Sequence, residues 1–137
     1  MKKLILSAVL LASVVLVSAK DVPTERLNSN YEITNPTAVN AFCKLIQIGD
    51  YDAVKSLIED GIDINKKSTG LTPLMFAARH NKAEIAQLLI ENGARMKTKT
   101  VKGYNALQLA ELSNAKDSYK VIKEAMLNQG KNKKRKK

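Results

Sequence analysis

The segment TPLMFAARHN, residues 72–81, sets Thr and then Pro in front of a short apolar run and closes that run with Asn. A threonine hydroxyl can accept from the free N–H groups of a helix start, and Pro at the first helical position forfeits no hydrogen bond. The segment therefore reads as a short helix punctuated at both ends. Its significance depends on whether it stands alone or is one copy of a unit.

The flanking sequence answers this. Immediately after it, KAEIAQLLIENGA places Ile85, Leu88 and Leu89 on one face of a second helix, and Gly93 stops it. Upstream, GDYDAVKSLIEDGIDIN follows the same order, with Gly49, an acidic start, the stripe Val54, Leu57 and Ile58, and Gly61 as the stop. Asn81 to Gly93 is 12 positions, as is Gly49 to Gly61. Downstream, TGLTPLMFAA at 69–78 is answered by KGYNALQLAE at 102–111, so that Gly70 and Gly103, Leu74 and Leu107, and Ala77 and Ala110 each lie 33 apart. A turn and two helices recur with a period of about 33 residues, which identifies a repeat architecture.

This pattern resembles the ankyrin repeat: a turn with Gly, Thr-Pro-Leu, a short Ala-rich helix, then a Leu-rich helix ending at Gly. In the middle unit Gly70, Thr72, Pro73, Leu74, Ala77, Ala78, Ile85, Leu88, Leu89, Gly93 and Ala94 all fall in their motif places. The third unit departs from the motif, with Asn105 and Ala106 in place of Thr-Pro and no closing Gly after KDSYKVIKEAML. The resemblance implies an all-α fold, an ankyrin-repeat solenoid of about three helix-turn-helix repeats with short hairpin-like turns, at about 36–66, 67–100 and 101–129.

The motif residues also have a physical reading of their own. Gly70 and Gly103 sit where turns call for positive φ, and Gly61, Gly93 and Asn81 suit helix ends for the same reason. Ala77 and Ala78 let helices approach closely. One such unit cannot bury its apolar face, so about three must stack, and the terminal units need polar outer faces. In the third unit Lys116, Asp117, Lys120, Lys123 and Glu124 supply one. At the other end, Asn35-Pro36 is a plausible cap for one longer helix carrying Ala38, Phe42, Leu45 and Ile46 at helical spacing.

The remaining segments have different characters. Residues 1–19 open with Lys2 and Lys3, continue as an apolar run of 14 residues from Leu4 to Val17, and end in small residues. The order is that of a signal peptide cleaved after Ala19, and the run is short of the roughly 20 residues a bilayer span needs. A periplasmic or secreted location is expected. Residues 20–35 read as a leader without clear periodicity. The last eight residues, 130–137, hold no apolar side chain and are expected to be a disordered basic tail. The formal charge of +10 is largely terminal: with the two leader lysines and the six cations of the last seven residues set aside, 15 basic groups face 13 acidic ones.

Chemistry-bearing residues are few. Cys43 is the single cysteine and His80 the single histidine, so no intramolecular disulfide and no Cys/His zinc site can form. Cys43 lies in an apolar stripe beside Phe42 and Ile46 and reads as a small buried hydrophobe, the alternative being a thiol open to mixed disulfides. His80 reads as a surface residue at a helix C-terminus, where a cation is mildly favoured. No phosphate loop, paired-His motif or nucleophile elbow is present. No catalytic residue, cofactor or metal is expected.

The family resemblance implies a non-enzymatic interaction module whose partner lies against the turn tips and the exposed side of the first helices. On this sequence that face comprises Lys66, Lys67, Ser68, Thr69, Leu71, Arg79, His80, Thr98, Lys99, Thr100, Val101, Lys102 and Tyr104. It holds no acidic residue, so the expected partner is a protein with an acidic surface, met by a monomer acting as an exported adaptor or inhibitor. The second turn holds one residue more than the first, so its tip is expected to project further. The alternative is contact of the tail residues Lys131, Lys133, Lys134, Arg135, Lys136 and Lys137 with an anionic membrane surface or polyanion. Nucleic acid is a poor fit, since aromatic residues are only 4% of the chain.

Overall fold

The computed structural model describes residues 36–135. The expected signal peptide, the 20–35 leader, the Asn35 cap, Lys136 and Lys137 lie outside the described residues. Among the described residues six helices follow one another: α1 (Pro36–Ile48), α2 (Tyr51–Glu59), α3 (Pro73–Arg79), α4 (Ala83–Glu91), α5 (Ala106–Leu112) and α6 (Lys116–Arg135). They pair as α1/α2, α3/α4 and α5/α6, one pair to each repeat.

The short helix of the opening segment forms as its residues dictate. Thr72 has extended backbone geometry and its hydroxyl accepts from Met75 N at 3.3 Å, while Pro73 takes the first helical position. Asn105 does the same work for α5, accepting from Gln108 N at 3.0 Å, and Gln108 returns the bond by accepting from Asn105 N at 3.0 Å. The departure from Thr-Pro in the third repeat thus exchanges one N-cap for another, with a reciprocal capping box. The turn glycines Gly70 and Gly103 adopt φ of +83° and +86°. No side chain obstructs either, so it is the backbone conformation that calls for glycine there.

Stacking joins like with like. The first helices α1, α3 and α5 form one row, and α2, α4 and α6 form a second row behind it. Ala77 and Ala78 are fully buried where α3 meets its neighbours, and Phe42, Ile46, Leu74, Met75, Ile85, Leu89 and Ile122 fill the continuous core. This is the one-dimensional packing of a solenoid, in which each repeat leans only on the next.

Two features depart from the sequence reading. The tail is not disordered from residue 130: α6 is 20 residues long and runs on to Arg135. A segment without apolar side chains would be disordered if it had to nucleate a helix alone. Here the nucleus is the packed part of α6, so only propagation is needed, which Lys, Arg and Gln support. Lys133, Lys134 and Arg135 in the last turn also complement the helix dipole. Secondly, the outer face of the third repeat is not purely polar: among its exposed residues are Leu112 and Leu127, at 65% and 57% exposure.

Candidate protein-interaction face

The loops that lead into α3 and α5 build one edge of the stack. In each, alternate residues turn inward. Ile62 and Ile64 are buried in the first loop, Ala94 and Met96 in the second, and the intervening side chains face solvent. In the second loop the outward set is Arg95, Lys97 and Lys99. Arg95 and Lys97 were absent from the face expected from sequence, although the period-two alternation in ARMKTK carries the signal.

Neighbouring loops are stitched together. Asn65 accepts from Arg95 N at 2.8 Å and donates to Gly93 O at 3.5 Å. Lys67 Nζ donates to Lys99 O at 2.9 Å, so this cation is spent partly on holding the next tip. The first tip closes as an antiparallel bridge, with Ser68 N to Leu71 O at 2.8 Å and Leu71 N to Ser68 O at 3.0 Å. The second tip is wider, closing from Thr100 N to Tyr104 O at 2.8 Å and from Gly103 N to Thr100 O at 2.9 Å. Thr100 Oγ1 also accepts from Tyr104 N at 3.1 Å.

The thirteen residues expected to meet a partner do not share one role. Lys67, Thr69, Arg79, Lys99, Val101, Lys102 and Tyr104 are exposed. Val101, at the second tip, is 98% exposed. Lys66, Thr98 and Thr100 are half-buried. Leu71 is half-buried against the core, so most of its apolar surface is already used. Ser68 must be removed from the contact surface: it is only 6% exposed and its hydroxyl donates to Asn40 Oδ1 on α1. A short polar residue in a turn reads as surface, but the bridge to Leu71 turns this one inward.

His80 also differs from its sequence reading. It is half-buried, with its ring stacked on Phe76 at 6.5 Å between centroids and 9° between planes. Burial, and then the charges of Arg79 and Lys82, hold its pKa below the ordinary histidine value. The neutral imidazole is therefore favoured despite the helix C-terminus. Cys43 is 2% exposed, and burial raises its thiol pKa to about 11, against a smaller opposing effect of the Ser68 hydroxyl. That makes the thiolate scarce at neutral pH and disfavours the reactive alternative.

Among the described residues no three His, Cys, Asp or Glu side chains gather in a way that could hold a metal ion, and no helix is long and apolar enough to cross a membrane. The edge is a ridge of cations and threonines with an exposed valine at its second tip. Such geometry suits recognition of another macromolecule.

Helix pairs of this length, stacked in register with glycine-closed turns between them, define a repeat solenoid. The chain belongs to the ankyrin-repeat family, whose model for three copies of the repeat matches residues 25–136. An ankyrin repeat protein of Rickettsia bellii (strain RML369-C) is 40% identical over 81 residues, 56% of this chain and 12% of that protein. Human ankyrin repeat and SOCS box protein 11 is 33% identical over 73 residues, 53% of this chain and 23% of that protein. The chain thus spans less than a quarter of these relatives' lengths. A chain in the complex of the predatory endopeptidase Bd0816 of Bdellovibrio bacteriovorus with the immunity protein Bd3460 is similar in structure, at 31% identity and a TM-score of 0.59. That match covers 62% of this chain and 45% of the other. Ankyrin repeats are protein–protein interaction modules, and the family is generally non-enzymatic.

Proposed function

We propose that this chain is an exported, monomeric adaptor or inhibitor that engages a protein with an acidic surface through the edge formed by its second loop and turn tips. The observation that carries this reading is the composition of that edge. Residues 95–104 expose Arg95, Lys97, Lys99 and Lys102 together with Val101, and include no carboxylate. Charge of one sign steers encounter and fixes orientation, while an apolar residue at the centre supplies area that can be desolvated on contact.

The inhibitor reading is supported by the similarity to a chain from an endopeptidase–immunity protein complex. The exported location rests on residues 1–19, and intact-mass analysis of the protein recovered from its host tests it: a chain beginning at Lys20 is expected. The interface is tested by cross-linking in cells and quantifying the attached protein for the wild type and for K99E/K102E. Loss of the adduct is expected; an undiminished adduct removes this edge from the interface.

A further inference from the structure

Helix α6 is more than twice the length of α4, its counterpart in the preceding repeat. Its inward side is set by Ser118 and Ile122, both fully buried, with Ala125 half-buried among the core's neighbours. At 3.6 residues per turn, Lys116, Lys120, Lys123, Leu127, Lys131 and Lys134 fall within a sector of about 80° on the opposite side. All six are exposed, and Leu127, in the middle of the row, is 57% exposed. At a rise of about 1.5 Å per residue the row is about 27 Å long.

The acidic groups of the helix do not interrupt it. Glu124 lies at the edge of the sector, and Asp117 is turned toward the stack, accepting from Asn81 Nδ2 at 3.0 Å. The Lys123 ammonium rests 5.5 Å from the centre of the Tyr119 ring. Five cations thus stand in line on a rigid rod, with an apolar side chain among them. The alignment exists because the helix continues through residue 130; a flexible tail would carry the same charge without aligning it.

We propose that this face of α6 lies on an anionic lipid surface, with the lysine ammonium groups among the headgroups and Leu127 below them. A straight single-sign row matches a plane of negative charge along its whole length. The lysine stems can lie along the apolar boundary while their charges stay in water. A nucleic-acid strand is matched less well, since the row of Lys116, Lys120, Lys123, Leu127, Lys131 and Lys134 holds no aromatic side chain for base stacking. This surface is separate from the edge proposed for the protein partner.

The full chain can be tested by co-sedimentation with vesicles of phosphatidylglycerol mixed with phosphatidylcholine, against vesicles of phosphatidylcholine alone. The readout is the ratio of anionic to neutral binding, in which apolar insertion by residues 1–19, where they are retained, is common to both vesicles. With each aligned lysine near the surface worth roughly fivefold, a ratio above about tenfold is expected, falling as salt is raised. K131E/K134E and K116E/K120E, each shown to retain the wild-type melting profile, should bring the ratio close to one. Gly130→Pro should lower it as well, by breaking the rod without altering charge. A ratio near one for the wild type, full retention in the charge-reversal variants, or full retention in Gly130→Pro overturns the proposal. So does binding of a single-stranded DNA oligomer without enrichment on anionic vesicles.

Discussion

Asn81 caps the first turn of α6, at Asp117, from one repeat away. Its Oδ1 accepts from Asp117 N and Ser118 N, both at 3.1 Å, and its Nδ2 donates to Asp117 Oδ2 at 3.0 Å. The residue before α6 is Ala115, which has no side-chain acceptor, so the orphan N–H groups of that helix are satisfied by the neighbour. The same Asn81 holds φ at +54°, a conformation that asparagine tolerates better than most residues. One residue thus ends α3 and starts α6.

Removal of this clasp should be costly. Asn81→Ala is expected to lose about 1–2 kcal/mol, the upper range for a helix cap, and to add strain at positive φ. Urea unfolding measures the loss. Asn81→Gly keeps the backbone relaxed and isolates the side chain's share. A change in the alanine variant smaller than a few tenths of a kcal/mol would show that the clasp contributes nothing net.

Cys43 makes stability depend on alkaline pH. Its folded thiol pKa of about 11 lies above the ordinary thiol value of 9.0, so the folded chain binds this proton more tightly than the unfolded one. The associated stability is complete below about pH 9 and declines as pH rises toward 11. Cys43→Ala should flatten that portion of the pH profile. A thiol probe at pH 8 should modify the native protein far more slowly than the urea-unfolded chain; equal rates would contradict the burial argument.

His80 gives the opposite sign at the acidic end. Its folded pKa is depressed by burial first and by Arg79 and Lys82 next, so its share of stability is present above pH 6.5 and is lost as pH falls through the folded value. Being the only histidine in the chain, it yields an unambiguous NMR titration. A midpoint below 6.5 is expected. Arg79→Ala should raise it, and an unchanged midpoint would remove Arg79 from the causes, leaving burial and Lys82.

Two glycines should respond in opposite directions. Gly103 holds φ at +86° with open space around it, so Gly103→Ala is destabilising through the backbone alone, by about 1 kcal/mol. Gly130 lies inside α6, where alanine meets nothing within 4 Å, and Gly130→Ala should strengthen the end of the helix by about 0.5–1 kcal/mol. Circular dichroism during thermal unfolding reads both. The same sign for the two would contradict their assignment to turn and helix.

The sequence made the repeat legible because its determinants are local. Thr72 and Pro73 cap α3, glycines mark the turns, and the i, i+3, i+4 spacing of Val54, Leu57 and Ile58 returns in Ile85, Leu88 and Leu89 of the next second helix. What escaped it is non-local. Nothing near Asn81 announces that its amide serves a helix in the next repeat, and nothing near Ser68 announces Asn40 across the interface. The continuation of α6 was hidden for another reason: residues 130–135 are all exposed and carry no apolar side chain, so they show none of the hydrophobic periodicity by which helices are found. Within the candidate edge burial separates the expected members: Lys99, Val101 and Lys102 are exposed, whereas Ser68 is turned inward, a difference that depends on contacts distant in sequence.

Gly49 occupies the place in the first repeat that Asn81 holds in the second, and it has no side chain with which to grip its neighbour. Lys82, the residue that precedes α4, accordingly supplies no side-chain cap, and none comes from the neighbour. The two joints of the stack are therefore unequal, and thermal opening has a preferred place to begin. Amide protons at Glu84 and Ile85 should exchange with solvent before those of Asp117 and Ser118, so the first repeat parts from the second while the last two still hold together.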